Sequence, residues 1–229
     1  MANKKAEVAP WLAGSGIDAD MSGEGSTKSS ASNTNRYWMP KGSDRTIIFL
    51  SDGPDAVTAQ EHQLQLHGNW RNWFTCLESS GKPCPLCEWN KEHNQFKRYK
   101  AMFFSIIDTT EFVDKRGNKR KNLQKILCAK RGAAEIIKRK YLARFEEDEG
   151  LRGAMFKVFR TNDDKSSSVG EDYEFVKMVD LSGYDDTEPH DWAEVLRPDV
   201  DAIDAAVAQL RRDRGMDGDG EGTESLVDF

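Results

Sequence analysis

The chain has no run approaching the roughly 20 consecutive apolar residues that a bilayer-spanning helix needs, and its N-terminal stretch has no apolar signal-peptide core. No membrane partner is expected, and the sequence reads as a soluble, cytoplasmic protein. Cysteine is scarce, four in 229 residues, and so is histidine, also four. Four thiols make no disulfide framework for a chain of this length, and in a reducing compartment they stay free or bind metal. Cations are missing altogether from residues 216–229, which hold five carboxylates and several glycines. Such a segment buries too little apolar surface to order itself and is expected to be a disordered acidic tail.

Hydrophobic residues make up 38% of the chain and charged residues 31%, enough for one substantial core with a small satellite domain. The formal charge of −6 argues against a polyanionic partner until its distribution is considered. Residues 180–229 hold 15 acidic and 4 basic side chains, so the body, residues 1–179, carries 29 basic against 24 acidic. Within that body, residues 97–140 hold 14 Lys or Arg and 4 Asp or Glu, a local surplus that attracts polyanions.

Residues 1–34 are rich in Ala, Gly, Ser and Asn without periodicity and read as a flexible leader. Order is expected over 35–182. Strands are predicted at Arg45–Leu50, at 61–66 and 70–76 around a His67-Gly68-Asn69 turn, at Lys97–Asp108 and at Leu123–Ala129. A last hairpin, Gly153–Arg160 with Tyr173–Asp180, follows a helix over 133–145 whose Ile136, Ile137, Leu142 and Phe145 are expected to face inward. A short helix is expected at Glu88–Asn94. This pattern suggests a mainly β, α+β fold: a small closed or partly closed barrel of OB type. A linker and an Ala-rich helix starting at Asp199 occupy 183–215.

The densest chemistry lies between His62 and Cys87. Cys84-Pro85-Leu86-Cys87 has the spacing at which two thiolates reach one metal from a single turn, and Cys76 precedes it by eight residues. A tetrahedral structural Zn2+ needs one more ligand. His62, His67 and His93 are the candidates, with His62 preferred because its strand lies beside the one that delivers Cys76. Zinc deaminases also carry Pro-Cys-x-x-Cys, but pair it with His-x-Glu. Here His62 is followed by Gln63-Leu64 and His67 by Gly68-Asn69, so the general acid/base is lacking and no enzyme is expected. Cys128, in Ile126-Leu127-Cys128-Ala129, reads as a buried thiol.

Aromatic and cationic residues surround this zinc subdomain, placed at about 61–95. Trp38, Trp70, Trp73 and Tyr99 are interleaved with Arg36, Arg71, Lys97, Arg98 and Lys100, and Lys115, Arg116, Lys119, Arg120 and Lys121 crowd a hairpin tip. Rings that stack on bases beside cations that track phosphates are what single-stranded DNA requires. A second reading makes the chain a zinc-stabilised interaction or transcription-accessory module working through its acidic tail.

Glu61-His62, Gly68-Asn69-Trp70, Thr75-Cys76 and Cys84-Pro85-Leu86-Cys87, followed by the aromatic-basic strand and basic hairpin, resemble the zinc-containing single-stranded-DNA-binding proteins of tailed bacteriophages over residues 36–182. The resemblance implies an OB-fold with an embedded zinc subdomain, and His62, Cys76, Cys84 and Cys87 as ligands, with Tyr99 stacking on a base. It implies a protein that coats single strands during replication, recombination and repair in the cytoplasm of the infected bacterial host. Self-association on DNA and docking of phage replication and recombination proteins on Leu226, Val227, Asp228 and Phe229 would accompany that role. The N-terminal arm departs from the family, having only Lys4 and Lys5 close together before a neutral stretch.

Overall fold

The computed structural model describes residues 9, 12, 14–15, 36–113, 117–146 and 149–216. Its strands are β1 (Gly14–Ser15), β2 (Ser43–Phe49), β3 (Val57–Leu66), β4 (Asn69–Thr75), β5 (Tyr99–Asp108), β6 (Phe112–Val113), β7 (Lys119–Arg120), β8 (Leu123–Lys130), β9 (Ala154–Arg160) and β10 (Asp172–Met178). The helices are α1 (Pro85–His93), α2 (Arg131–Phe145), α3 (Trp192–Val195) and α4 (Val200–Asp213). No helix among the described residues is long and apolar enough to cross a membrane.

The fold is α+β, dominated by one antiparallel sheet in the order β1-β3-β5-β2-β9-β10, with β4 added to β3 and β8 to β5; β6 and β7 form a separate ribbon. Pairing among the described strands does not close the sheet into a ring, so a closed barrel is not formed by them. β5 is the hub, because its first half pairs with β3, its end with β2, and nearly its whole length with β8. Its buried run from Ala101 to Ile107 suits a strand covered on both faces. Phe49 meets Phe104 and Phe156 edge-on, with ring centroids 5.5 and 5.6 Å apart, at the centre of the main core.

β3 does two jobs. Residues Val57 to Glu61 pair with β5, and Glu61 to Leu66 pair with β4 in a hairpin. The hairpin closes where the sequence placed it: His67 and Gly68 both have positive φ, +48° and +74°, as a two-residue turn of matching twist requires. The predicted boundaries of the other long strands hold to within a few residues.

The inward face of α2 corrects the expectation. Ala133, Ala134, Ile137, Tyr141 and Arg144 are buried and Ile136 packs beside them, but Leu142 is exposed and Phe145 is 62% exposed. The buried positions step round the helix at its 3.6-residue period, which leaves positions 142 and 145 on the flank. The C-terminal segment, where the helix expected from Asp199 is found as α4, packs closely. Trp192 and Leu196 lie against β5 and β8, and α4 covers the hairpin and α1.

Candidate metal centre and the cleft beside it

The metal-ligand candidates are gathered by three local structures. β3 carries His62 opposite Phe74 of β4, and Cys76 directly follows β4, its N–H donating to the Gln60 carbonyl at 2.8 Å. A 3-10 turn over Leu77–Ser80, closed by Gly81 at φ +74°, swings the chain back. Cys84 then caps α1 with Pro85 at the first helical position, and the Cys87 N–H donates to the Cys84 carbonyl at 3.0 Å. One helical turn therefore holds both thiols of the Cys-x-x-Cys pair on one side.

His62, Cys76, Cys84 and Cys87 are all buried, and their ligand atoms lie within 4.8 Å of one another. The His62 Nε2 is 3.4 Å from Cys87 Sγ and 3.7 Å from Cys84 Sγ, and Cys76 Sγ is 3.5 Å from Cys87 Sγ. Bonds of about 2.1 Å to nitrogen and 2.3 Å to sulfur place tetrahedral ligands roughly 3.5 to 3.8 Å apart, so the set fits a four-coordinate metal ion. The thiols are free rather than paired as disulfides.

Electrostatics agree with that fit. The Nδ1 of His62 lies 2.8 Å from the Phe96 carbonyl, which fixes the proton there and turns Nε2 toward the thiols. Burial alone would depress the imidazole, but Cys76, Cys84 and the Phe96 carbonyl accept from its protonated form and hold its pKa at about 9. The pocket thus favours a positive charge at Nε2. Hydrogen bonds from Cys76 and Cys87 push the Cys84 thiol strongly down, whereas the same crowding pushes Cys87 up. One thiolate is favoured beside the imidazole, and a bound cation would let the other thiols ionise as well. Arg98 Nη1, 3.9 Å from Cys76 Sγ and ion-paired with Glu78, adds further positive charge at the rim.

The other histidines lie outside the cluster. His67, 72% exposed, sits 3.9 Å from Asp213, and His93 packs at a tilt against Trp89 with centroids 4.2 Å apart. Cys128 is buried at a distance, 4.0 Å from the Glu61 carboxylate, and burial pushes its thiol up to about 12.

On the opposite face of the hairpin lies an ion pair that the sequence reading did not identify. Glu61, 1% exposed, accepts from Arg36 Nη1 at 2.9 Å and from the Tyr99 hydroxyl at 3.0 Å. The Arg36 guanidinium lies 4.4 Å from the Trp73 ring centroid, a cation–π stack. Arg36, Glu61 and Trp73 line an open cleft of about 270 Å³ together with Phe74, Thr75, Val195, Arg197, Asp199 and Ala202. A carboxylate inside a strand with buried neighbours and a nearby arginine were the available signals. The two sites share their strands: Glu61 adjoins His62, and Thr75 adjoins Cys76.

The predicted DNA contacts are scattered. Trp38 is 49% exposed and Trp70 45%, the latter against Phe96. Lys97, Lys119, Arg120 and Lys121 are exposed, Lys100 and Arg98 half-buried, and Lys119 pairs with Glu111 at 2.9 Å. Tyr99 and the Arg36 side chain are internal, so neither presents a free face to solvent. Trp70 and Trp73, three residues apart on β4, point to opposite faces, Trp70 to the metal side and Trp73 to the cleft. The Arg71 side chain, Lys115, Arg116 and Leu226–Phe229 lie outside the described residues.

No protein-family model matches the chain, and no curated protein matches it.

Proposed function

We propose that the protein binds single-stranded DNA without sequence specificity, with a structural zinc ion holding the hairpin and α1 together beside the binding surface. The reading takes the sheet as an open member of the OB type and the chain as a phage protein acting in replication, recombination and repair inside the host cell. The observation that carries it is the cleft where Trp73 packs on Arg36, lined also by Glu61 and Thr75, whose next residues are metal-ligand candidates. Exposed Trp38 and Trp70 and the cations at Lys97, Lys100 and Lys119–Lys121 supply further rings and charges for bases and phosphates. Binding of unpaired strands in preference to duplex shifts melting toward single strands by mass action. With four protein ligands filling a tetrahedral shell, the ion is structural under this reading, and no reaction is assigned to it.

Titration with oligo-dT, followed by tryptophan fluorescence at several salt concentrations, tests the proposal. Quenching that weakens steeply with salt is expected from stacking together with counterion release. A flat response would contradict it and favour a zinc-stabilised interaction module acting through its acidic tail.

A further inference from the structure

The principal contacts of α4 run to α1 and β3, the elements that carry the metal-ligand candidates. Its apolar face, Ile203, Ala206, Val207 and Leu210, follows the i, i+3, i+4, i+7 spacing and joins the three cysteines in a single buried cluster with Leu64, Leu77 and Leu86. Just past the helix, Arg214 lies 4.9 Å from the Trp89 ring centroid and bonds Gln95. Asp213 accepts from the His67 N–H at 3.4 Å, fastening the same end to the hairpin turn. At the other end, Val195, Arg197, Asp199 and Ala202 line the cleft with Trp73 and Arg36.

We infer that the segment from Val195 to Met216 is a strap clamped by the metal ion, so that metal occupancy sets how far the cleft is open. The inference rests on the reading of the four-residue cluster as a metal site. Without the ion, three crowded thiols and an imidazole occupy the surface on which α4 rests, and the cluster loses its fixed arrangement. A helix of 14 residues is marginal in water without a partner face, so α4 then releases. Coupling is reciprocal: a chain whose α4 is loosened must hold the ion more weakly.

The test uses the full chain as purified, with metal content measured first. Amide hydrogen exchange across residues 200–213 is compared before and after chelation with EDTA. Protection of α4 is expected to fall at least about tenfold while β2, β5 and β9 keep theirs, a local opening rather than global unfolding. The variant Leu210→Asp replaces no ligand, and its metal is expected to pass to a chelator about tenfold faster, the scale of an outer-shell change. Metal that binds but leaves α4 exchange unchanged when removed, or unchanged release from Leu210→Asp, would overturn the strap alone. A protein that carries no metal and takes up no Zn2+ would remove the metal reading and the strap together.

Discussion

Glu61 and His62 are consecutive residues of β3 and serve its opposite faces: the carboxylate accepts from Arg36 and Tyr99, and the imidazole Nε2 faces the thiols of Cys84 and Cys87. Side chains alternate along a strand, so a one-residue slip in the β3–β4 register would exchange the two and destroy both sites. The left-handed turn at His67-Gly68 and the bond from the Cys76 N–H to Gln60 therefore do more than close a hairpin. They hold the metal centre and the cleft in a fixed relation.

The metal centre makes a direct compositional prediction. The purified chain is expected to contain about one zinc ion, the number its tetrahedral ligand set accommodates. His62→Ala and Cys84→Ser should lose it, whereas His67→Ala and His93→Ala should retain it, as measured by atomic absorption. Loss of metal from the His93 variant but not from the His62 variant would contradict the ligand set.

The buried ion pair should matter to stability whatever binds in the cleft. Glu61→Gln leaves the largely buried Arg36 without its counter-charge, a change that costs about 3 kcal/mol or more. Urea unfolding should report it as a lowered midpoint with an unchanged slope. A midpoint equal to that of the parent chain would count against the network.

Acid should weaken the fold through Asp108. Burial would raise its pKa, but bonds from Lys125 Nζ at 2.7 Å and the Thr110 N–H at 3.0 Å outweigh it and hold the carboxyl below its usual range. A depressed folded value gives stability that is complete above the unfolded pKa, near 4, and lost as pH falls through the folded one. Asp108→Asn should therefore be destabilised at pH 7, with a shallower further loss between about pH 4 and 2 than the parent shows in urea unfolding. Parallel losses in the two proteins would refute this.

For the proposed DNA surface, exposure separates the aromatic residues. Trp38→Ala and Trp70→Ala should each weaken oligo-dT binding by about 1 to 3 kcal/mol if the ring stacks on a base. Tyr99→Phe should leave affinity unchanged and lower stability by about 1 kcal/mol, the worth of its hydroxyl bond to Glu61. Fluorescence titration and urea unfolding measure the two effects separately.

What was legible in the sequence was what local spacing encodes. The Cys-x-x-Cys turn, the hairpin at His67-Gly68 and the long strands all emerge from short-range rules. The choice of His62 over His67 and His93 followed from strand adjacency, which the β3–β4 register carries. The basic neighbours Arg98 and Lys100 suggest an exposed Tyr99, but alternation along β5 turns its ring inward, to Glu61. The opposite faces of Trp70 and Trp73 follow from the same alternation. The docking of α4 lay beyond such rules: its apolar stripe was readable, but the surface it covers is assembled from residues over a hundred positions away.

Affinity for a single strand against a duplex of the same length and salt concentration tests the central claim most directly, with the zinc-loaded full chain and fluorescence anisotropy as readout. Much tighter binding of the single strand, lost in parallel on adding salt, is the predicted result. Equal affinity for both forms, or binding to neither, would contradict a surface built to hold unpaired bases.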